Sequence, residues 1–447
     1  FNLGFIPVML GSKLCVLNNL PATALRNMGE CQYDQGGYFI IDGKEKVVLG
    51  QERQVENKIY VRAMNDTTKF LYEAEVRSSP EDKFQPARKT RMYIMRGNIK
   101  GKPKMNAEDE EVEQKKKDIK SMMSDLEKKI QGAIRVNVPG LSGNKQNSQT
   151  EVPLFVLFRA LGVTSDKEIL EHICYDLEAD GSAQYLKALE PSISDARSIY
   201  TQKDAILYLQ MKINSMEYTG FRNKFMSEYT KDELSKKNRR DELDFIVISD
   251  ILKNHLLPHV GTSYKAKALN LGYMVRELLD VYFKQKPTTD KDSFINKTCD
   301  LSGFLFGTIF RDLYFRLKNH IEYSINIQQA RLMANIEQAG NKDFTIDRLI
   351  NANNIYDIFT YSWIEDGMRY AFKNCWGLKG ASGCKEGIVQ DLNRLSFLSS
   401  ISHLRRFNMP LSDSAKVREP HSLHATCWGY MCPLESPSGG NVGLRKN

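Results

Sequence analysis

Gly36-Gly37-Tyr38-Phe39-Ile40-Ile41-Asp42-Gly43-Lys44-Glu45-Lys46-Val47-Val48-Leu49 reads as two short strands folded back on each other. Asp-Gly is among the strongest two-residue hairpin signals, because the turn needs positive φ at both central positions and Gly takes it at no steric cost. The runs on either side, 38–41 and 46–49, are rich in aromatic and β-branched residues. Gly36-Gly37 gives the sharp entry that residues with a Cβ resist. Outward from this hairpin, 71–76 and 90–95 read as further strands. Residues 152–340 are mostly helical instead: Asp166 can cap a helix carrying Ile169, Leu170 and Ile173, and 269–283 and 304–317 are apolar-rich helices. Strands and helices are segregated, not alternating, so the class is α+β and multidomain, not a doubly wound sheet. At 447 residues the chain is long enough for roughly two to four domains.

Residues 98–150 change character. From 107 to 129 the chain is a run of Glu, Asp and Lys, and the spacing of Ile119, Met122, Met123 and Leu126 argues for a charged surface helix. The Gly-Asn-Lys-Gln-Asn-Ser tract at 143–148 reads as a loop, and the whole stretch as a peripheral insertion. Pro287 among the charges of 286–292 marks a boundary. Residues 373–447 turn rich in Gly, Ser and Pro, with a helix expected over 387–403.

The formal net charge is +8 and it is unevenly placed. From Lys373 onward five Lys and five Arg face five acids, so this last sixth carries +5 of the +8. A basic segment without a long amphipathic helix favours nucleic acid over membrane as its partner, although an ordinary solvated surface fits the charge equally well. Eight scattered cysteines imply no disulfide framework and a reducing compartment. The longest apolar runs fall far short of the ~18 residues of a membrane span. The chain starts at Phe1 without a Met and reads as a fragment, so the lack of a signal peptide carries no weight.

Self-contained catalytic patterns fail one by one. Gly377, Gly380, Gly383 and Gly387 lack the Gly-Lys-Ser/Thr ending of a phosphate loop. His421, His424, Cys427 and Cys432 are zinc-type ligands, but their spacing is wrong for the common finger; Trp428 and Tyr430 read as a packed strand between the cysteines. Zinc is not expected, and a zinc-dependent DNA-binding module stands as a rival reading. The acidic run at 108–113 is solvated rather than a two-metal site. What remains is the polar, basic constellation Gln390, Asn393, Arg394, His403, Arg405 and Arg406. Arg donates two parallel charge-assisted bonds to phosphate, and Gln and Asn bridge sugar or base edges. On residue types alone, a sequence-tolerant nucleic-acid surface and a structural salt-bridge network fit equally.

Longer blocks carry a resemblance. Val8-Met9-Leu10-Gly11-Ser12-Lys13, Gly29-Glu30-Cys31, the hairpin itself, Gln51-Glu52-Arg53, Phe158-Arg159-Ala160-Leu161-Gly162 and Glu171-His172-Ile173-Cys174-Tyr175-Asp176 occur in that order. Leu271-Gly272-Tyr273-Met274, Asp300-Leu301-Ser302-Gly303, Leu392-Asn393-Arg394, Ser402-His403-Leu404-Arg405-Arg406, Trp428-Gly429 and Cys432-Pro433-Leu434-Glu435-Ser436-Pro437 follow. Together they resemble the second-largest subunit of multisubunit DNA-directed RNA polymerase, of eukaryotic, archaeal or large-DNA-virus type. The resemblance implies a protrusion at 1–65, a lobe at 66–297 with the charged insertion at 98–150, a return to the protrusion at 298–372, and a fork at 373–447. It also implies transcription in complex with the largest and smaller polymerase subunits, template DNA and nascent RNA, and Mg²⁺ held mainly by residues outside this chain. Such a fragment alone should be inactive.

By motif match, Gln390, Asn393, Arg394, His403, Arg405, Arg406 and Lys416 should lie along nucleic acid, with His403 on the rim matching the rifamycin pocket of bacterial enzymes. The family's Glu-Thr-Pro-Glu-Gly reads Glu435-Ser436-Pro437-Ser438-Gly439 here, and its Gly-Arg-Asp-Gly-Lys reads Ser412-Asp413-Ser414-Ala415-Lys416. Its Thr-His-Trp-Gly reads Thr426-Cys427-Trp428-Gly429, and an arginine before it is His421. These departures lean towards a viral enzyme. They also support the alternative of a non-catalytic nucleic-acid-binding paralogue. The implied location is intracellular, in a nucleus, viral factory or virion.

Overall fold

The computed structural model describes residues 4–80, 87–96, 131–141, 151–179, 181–210, 245–339, 350, 354–359, 362–373, 375–378, 385–411 and 417–447. The chain forms two compact units, one of Phe1–Gln54 with Asp292–Asn447 and one of Val55–Lys291.

The first unit opens with the hairpin. Strands β1 (Phe39–Ile41) and β2 (Lys44–Val48) pair antiparallel with Ile41 opposite Lys44, and the turn residues take the positive φ the Asp-Gly reading requires, 48° at Asp42 and 76° at Gly43. Alternation sends Phe39, Ile41 and Val48 to one face and Tyr38, Val47 and Leu49 to the other. Apolar residues pack on both faces, although Ile40 of β1 stays 54% exposed. The first face packs on Leu305, Ile309 and Leu313 of the Ser302–Ala339 helix and on Met368 and Phe372 of the Ser362–Lys373 helix. The second receives Leu392 and Leu404. Strand β3 (Gly50–Gln54) follows directly.

In the second unit β4 (Ile59–Ala63), β5 (Phe70–Ser78), β6 (Arg88–Met95), β7 (Ile134–Asn137) and β8 (Glu151–Pro153) form an antiparallel sheet in sequence order. Helices Leu154–Ala160, Asp166–Cys174 and Tyr264–Tyr282 share its core through residues such as Val136, Phe155, Ile169 and Leu271. Strand β7 falls inside the stretch read from sequence as a peripheral insertion; its Ile134 and Val136, with Val138 beyond, are core residues. The helix expected over 107–129 and the loop over 143–148 lie outside the described residues. Asp166 stands in the first turn of its helix, after Ser165, and its carboxylate pairs with Arg159 Nη2 at 2.5 Å.

Back in the first unit, β9 (Lys297–Asp300) pairs with β3, while β10 (Val389–Asp391) joins the free edge of β2. Strands β11 (Phe407–Asn408) and β12 (Arg445–Lys446) complete a second sheet in the order β12-β11-β3-β9, with β11 parallel to β3. A Cβ on Gly50 would come within 2.5 Å of the Phe407 ring, so the β3–β11 contact depends on that glycine.

Candidate nucleic-acid interface

The helix expected over 387–403 is two elements with a turn between them. Gln390 lies in β10, opposite Val47 of β2, and the helix covers only Phe397–Leu404. Ser396 caps it: its hydroxyl accepts the Ser399 N–H at 3.1 Å, while the Ser399 hydroxyl accepts the Ser396 N–H at 2.9 Å. Gln390, Arg394 and Leu398 therefore do not line up on one helical face. The strand is set by pairing with β2, more than 340 residues earlier, which no local periodicity reports.

His403 joins these pieces. Its ring is 4% exposed. The Asn393 N–H donates to Nδ1 at 3.0 Å, and Nε2 lies 3.0 Å from Gln390 Oε1. A nitrogen that accepts a backbone N–H carries no proton, so the imidazole is neutral and Nε2–H donates to Gln390. Burial, with the nearby Arg406 charge, pushes the imidazole pKa down and favours that form. The ring is thus built into the strand-to-helix turn, not presented on a rim.

Arg394 is also committed. Its Nε and Nη2 bind Glu45 at 2.9 Å each, Nη2 reaches Asp34 at 3.3 Å, and the guanidinium lies 5.0 Å from the Tyr38 ring centre. Desolvation aside, the Tyr38 hydrogen bond to Asp34 and the two carboxylates make this a closed network between hairpin and turn. For Arg394 the salt-bridge reading accounts for the residue.

Arg405 and Arg406 differ from it. They follow the last helical turn, their N–H groups bonded to carbonyls of Ile401, Ser402 and His403. Arg405 is exposed and Arg406 half-buried, and neither guanidinium has a hydrogen-bonded or ion-paired partner among the described residues. Both line an open cleft of about 830 Å³, shared with Asn393, Tyr430, Glu435 and Asn447. Glu435 does not neutralise them; its carboxylate accepts the Ser402 hydroxyl, which in turn accepts from Asn447 Nδ2 at 2.9 Å. Lys416 lies outside the described residues.

The expected strand around Trp428 is absent. A short 3₁₀ turn, Ala425–Cys427, leads into a bend at Gly429 (φ 82°), with Cys427 buried, Cys432 exposed, and Trp428 and Tyr430 86% and 82% exposed. The two cysteines are therefore not packed around Trp428. His421 Nδ1 sits 2.8 Å from the Val442 carbonyl and His424 Nδ1 2.6 Å from the Thr426 hydroxyl. No group of three or more His, Cys, Asp or Glu placed to hold a metal occurs among the described residues. Among the described residues six cysteines are free thiols and Cys375 is disulfide-bonded, a departure from the fully reduced set expected.

The sequence matches the family model of the RNA polymerase beta subunit over residues 1–357 and that of RNA polymerase Rpb2, domain 3, over 390–447. The chain belongs to the RNA polymerase beta subunit family. It is 32% identical, along its whole length, to DNA-directed RNA polymerase II subunit 2 of Arabidopsis thaliana, and 32% identical over 99% of its length to subunit RPB2 of Encephalitozoon cuniculi. It is 28% identical over its whole length to DNA-directed RNA polymerase subunit Rpo2N of Methanococcus vannielii. It spans about a third of the two eukaryotic relatives (32% of each) and 72% of the archaeal one.

One feature of this family member escaped the reading of residue types. Glu52, 2% exposed, sits between Lys297 at 2.6 Å and Lys446 at 2.7 Å, tying β3 to β9 and β12. Arg53 adds a pair with Asp300 at 2.8 Å. The signal available was the polar triplet Gln51-Glu52-Arg53, two of its residues charged, close after the apolar residues 47–49, where a buried carboxylate needs cationic partners.

Proposed function

We propose that this chain works as part of the second-largest subunit of a DNA-directed RNA polymerase, with Arg405 and Arg406 against the sugar–phosphate backbone of the RNA–DNA hybrid. The observation that carries this reading is the pair of adjacent guanidiniums lining an open cleft, without acid partners among the described residues, in a turn whose other polar residues are satisfied internally. Unpaired arginines are placed to give charge-assisted bonds to phosphate. The chain's share in RNA synthesis is then positioning and charge neutralisation, not acid–base chemistry. The other polymerase subunits, template DNA and nascent RNA are the partners, inside the cell. Mg²⁺, which nucleotidyl transfer needs, has no ligand set among the described residues, and no step is assigned through it. Among the described residues no helix is long and apolar enough to cross a membrane.

A backbone clamp reads no bases. Elongation complexes of the full polymerase on hybrids of unrelated sequence should therefore be retained alike at fixed salt. Discrimination of about 1–3 kcal/mol at one base position, abolished by changing either arginine, would mean a base-reading contact and contradict the proposal.

A further inference from the structure

Among the described residues no side-chain bond fixes Arg405 or Arg406, so their main chain sets where they point. Their main chain hangs from the last turn of the Phe397–Leu404 helix, through N–H bonds to Ile401, Ser402 and His403 carbonyls. That turn is anchored at His403, whose two ring nitrogens reach back to different places: Nδ1 to the Asn393 N–H at the start of the turn, Nε2 to Gln390 in β10. Gln390 is itself held, its Nε2 donating to the Gly387 carbonyl at 3.3 Å, and β10 is paired to the hairpin. Ser400 closes the same turn, its hydroxyl donating to the Asn393 carbonyl at 2.7 Å, and Asn393 Oδ1 accepts the Leu395 N–H at 3.0 Å.

We infer that His403 is a positioning residue: its neutral imidazole, strapped between Asn393 and Gln390, fixes the helix end that presents Arg405 and Arg406 to a nucleic-acid backbone. This rests on the phosphate contact proposed above for those arginines. The ring suits the task because its two nitrogens bind a donor and an acceptor at once, with the imidazole itself buried and both bonds partly so. An apolar residue of similar size fills the space and leaves the Asn393 N–H and the Gln390 oxygen without partners.

The test is a double-mutant cycle in polymerase assembled with the full-length subunit, reading the salt concentration at which elongation complexes release the hybrid. His403→Leu should weaken retention by about threefold or more in the parent, within the range coupled neighbours show, and have little further effect once Arg405→Ala and Arg406→Ala are present. His403→Asn, which keeps an acceptor near the Asn393 N–H, and His403→Gln, which keeps a donor within reach of Gln390, should each recover part of the loss. Equal losses from His403→Leu in both backgrounds would show a general structural role and overturn the inference while leaving the phosphate contact standing. No loss from the double arginine change would sink both. Assembly of each variant polymerase, followed by size-exclusion and thermal melting, separates these outcomes from simple misfolding.

Discussion

Polymerase carrying Arg405→Ala with Arg406→Ala should release its RNA–DNA hybrid at salt concentrations the parent withstands, and do so on every template alike. Each lost phosphate contact should lower the salt slope of retention by roughly 0.7–0.9, because fewer condensed counterions are released on binding. At fixed salt, a hydrogen bond to a charged group is worth about 1.5–3 kcal/mol, so about tenfold weaker retention per arginine is the low end of the expectation. Lys at both positions should recover part of the effect, since it restores the charge but not the planar fork. Stability should hardly move, within about 0.5 kcal/mol, because neither guanidinium has a partner among the described residues to lose. Loss of salt resistance without loss of stability separates a binding role from a packing role. Unchanged release in the correctly assembled double variant would leave both arginines without the proposed task.

Glu52→Gln should be the most damaging single change for stability in the first unit. It leaves Lys297 and Lys446 facing each other across a neutral side chain, with their own side chains 7% and 11% exposed. Breaking a buried ion pair by removing one partner costs about 3–5 kcal/mol, and here one carboxylate serves two cations. Burial by itself raises the Glu52 pKa, but Lys446 and Lys297 outweigh it and hold the carboxyl below its ordinary value. A carboxylate with a depressed folded pKa stabilises above its unfolded pKa of about 4.3, and that contribution is lost as pH falls through the folded value. Protection factors of the β3 and β9 amides, taken against the intrinsic rate at each pH, should therefore fall on acidification of the parent and be low already at neutral pH in Glu52→Gln. Unchanged protection of 50–54 in the variant would show that the lysines relax into solvent at little cost. Because β11 starts one residue after Arg406 and pairs with β3, the same variant should also loosen the arginine site.

The hairpin was legible because every cue in it is local: an Asp-Gly turn, flanking β-formers and a double glycine entry. The turn from 387 to 404 was not legible as a helix with a common polar face, because Gln390 owes its strand to pairing with β2. One cue was there to use: Ser396 and Ser399 stand at capping-box spacing and mark the true start of the helix. Strand β7 alternates apolar and polar from Ile134 to Val138, but it follows a long charged run that dominates any window containing it. Residue type drew attention to Gln390, Asn393, Arg394, His403, Arg405 and Arg406, but it could not divide them. Only partners do that: Glu45 claims Arg394, Asn393 and Gln390 claim His403, and nothing described claims the last two arginines. Trp428 shows the opposite error, an aromatic ring taken for packing that lies open to solvent.

The position of Arg405 relative to nucleic acid tests the account most directly. A photo-crosslinking side chain placed at 405 in the full-length subunit, in polymerase halted at defined positions on several unrelated templates, should join to the RNA or template strand within the hybrid in every case. Crosslinks confined to protein, around Glu435 and Asn447 in the same cleft, with none to nucleic acid in active halted complexes, would contradict it.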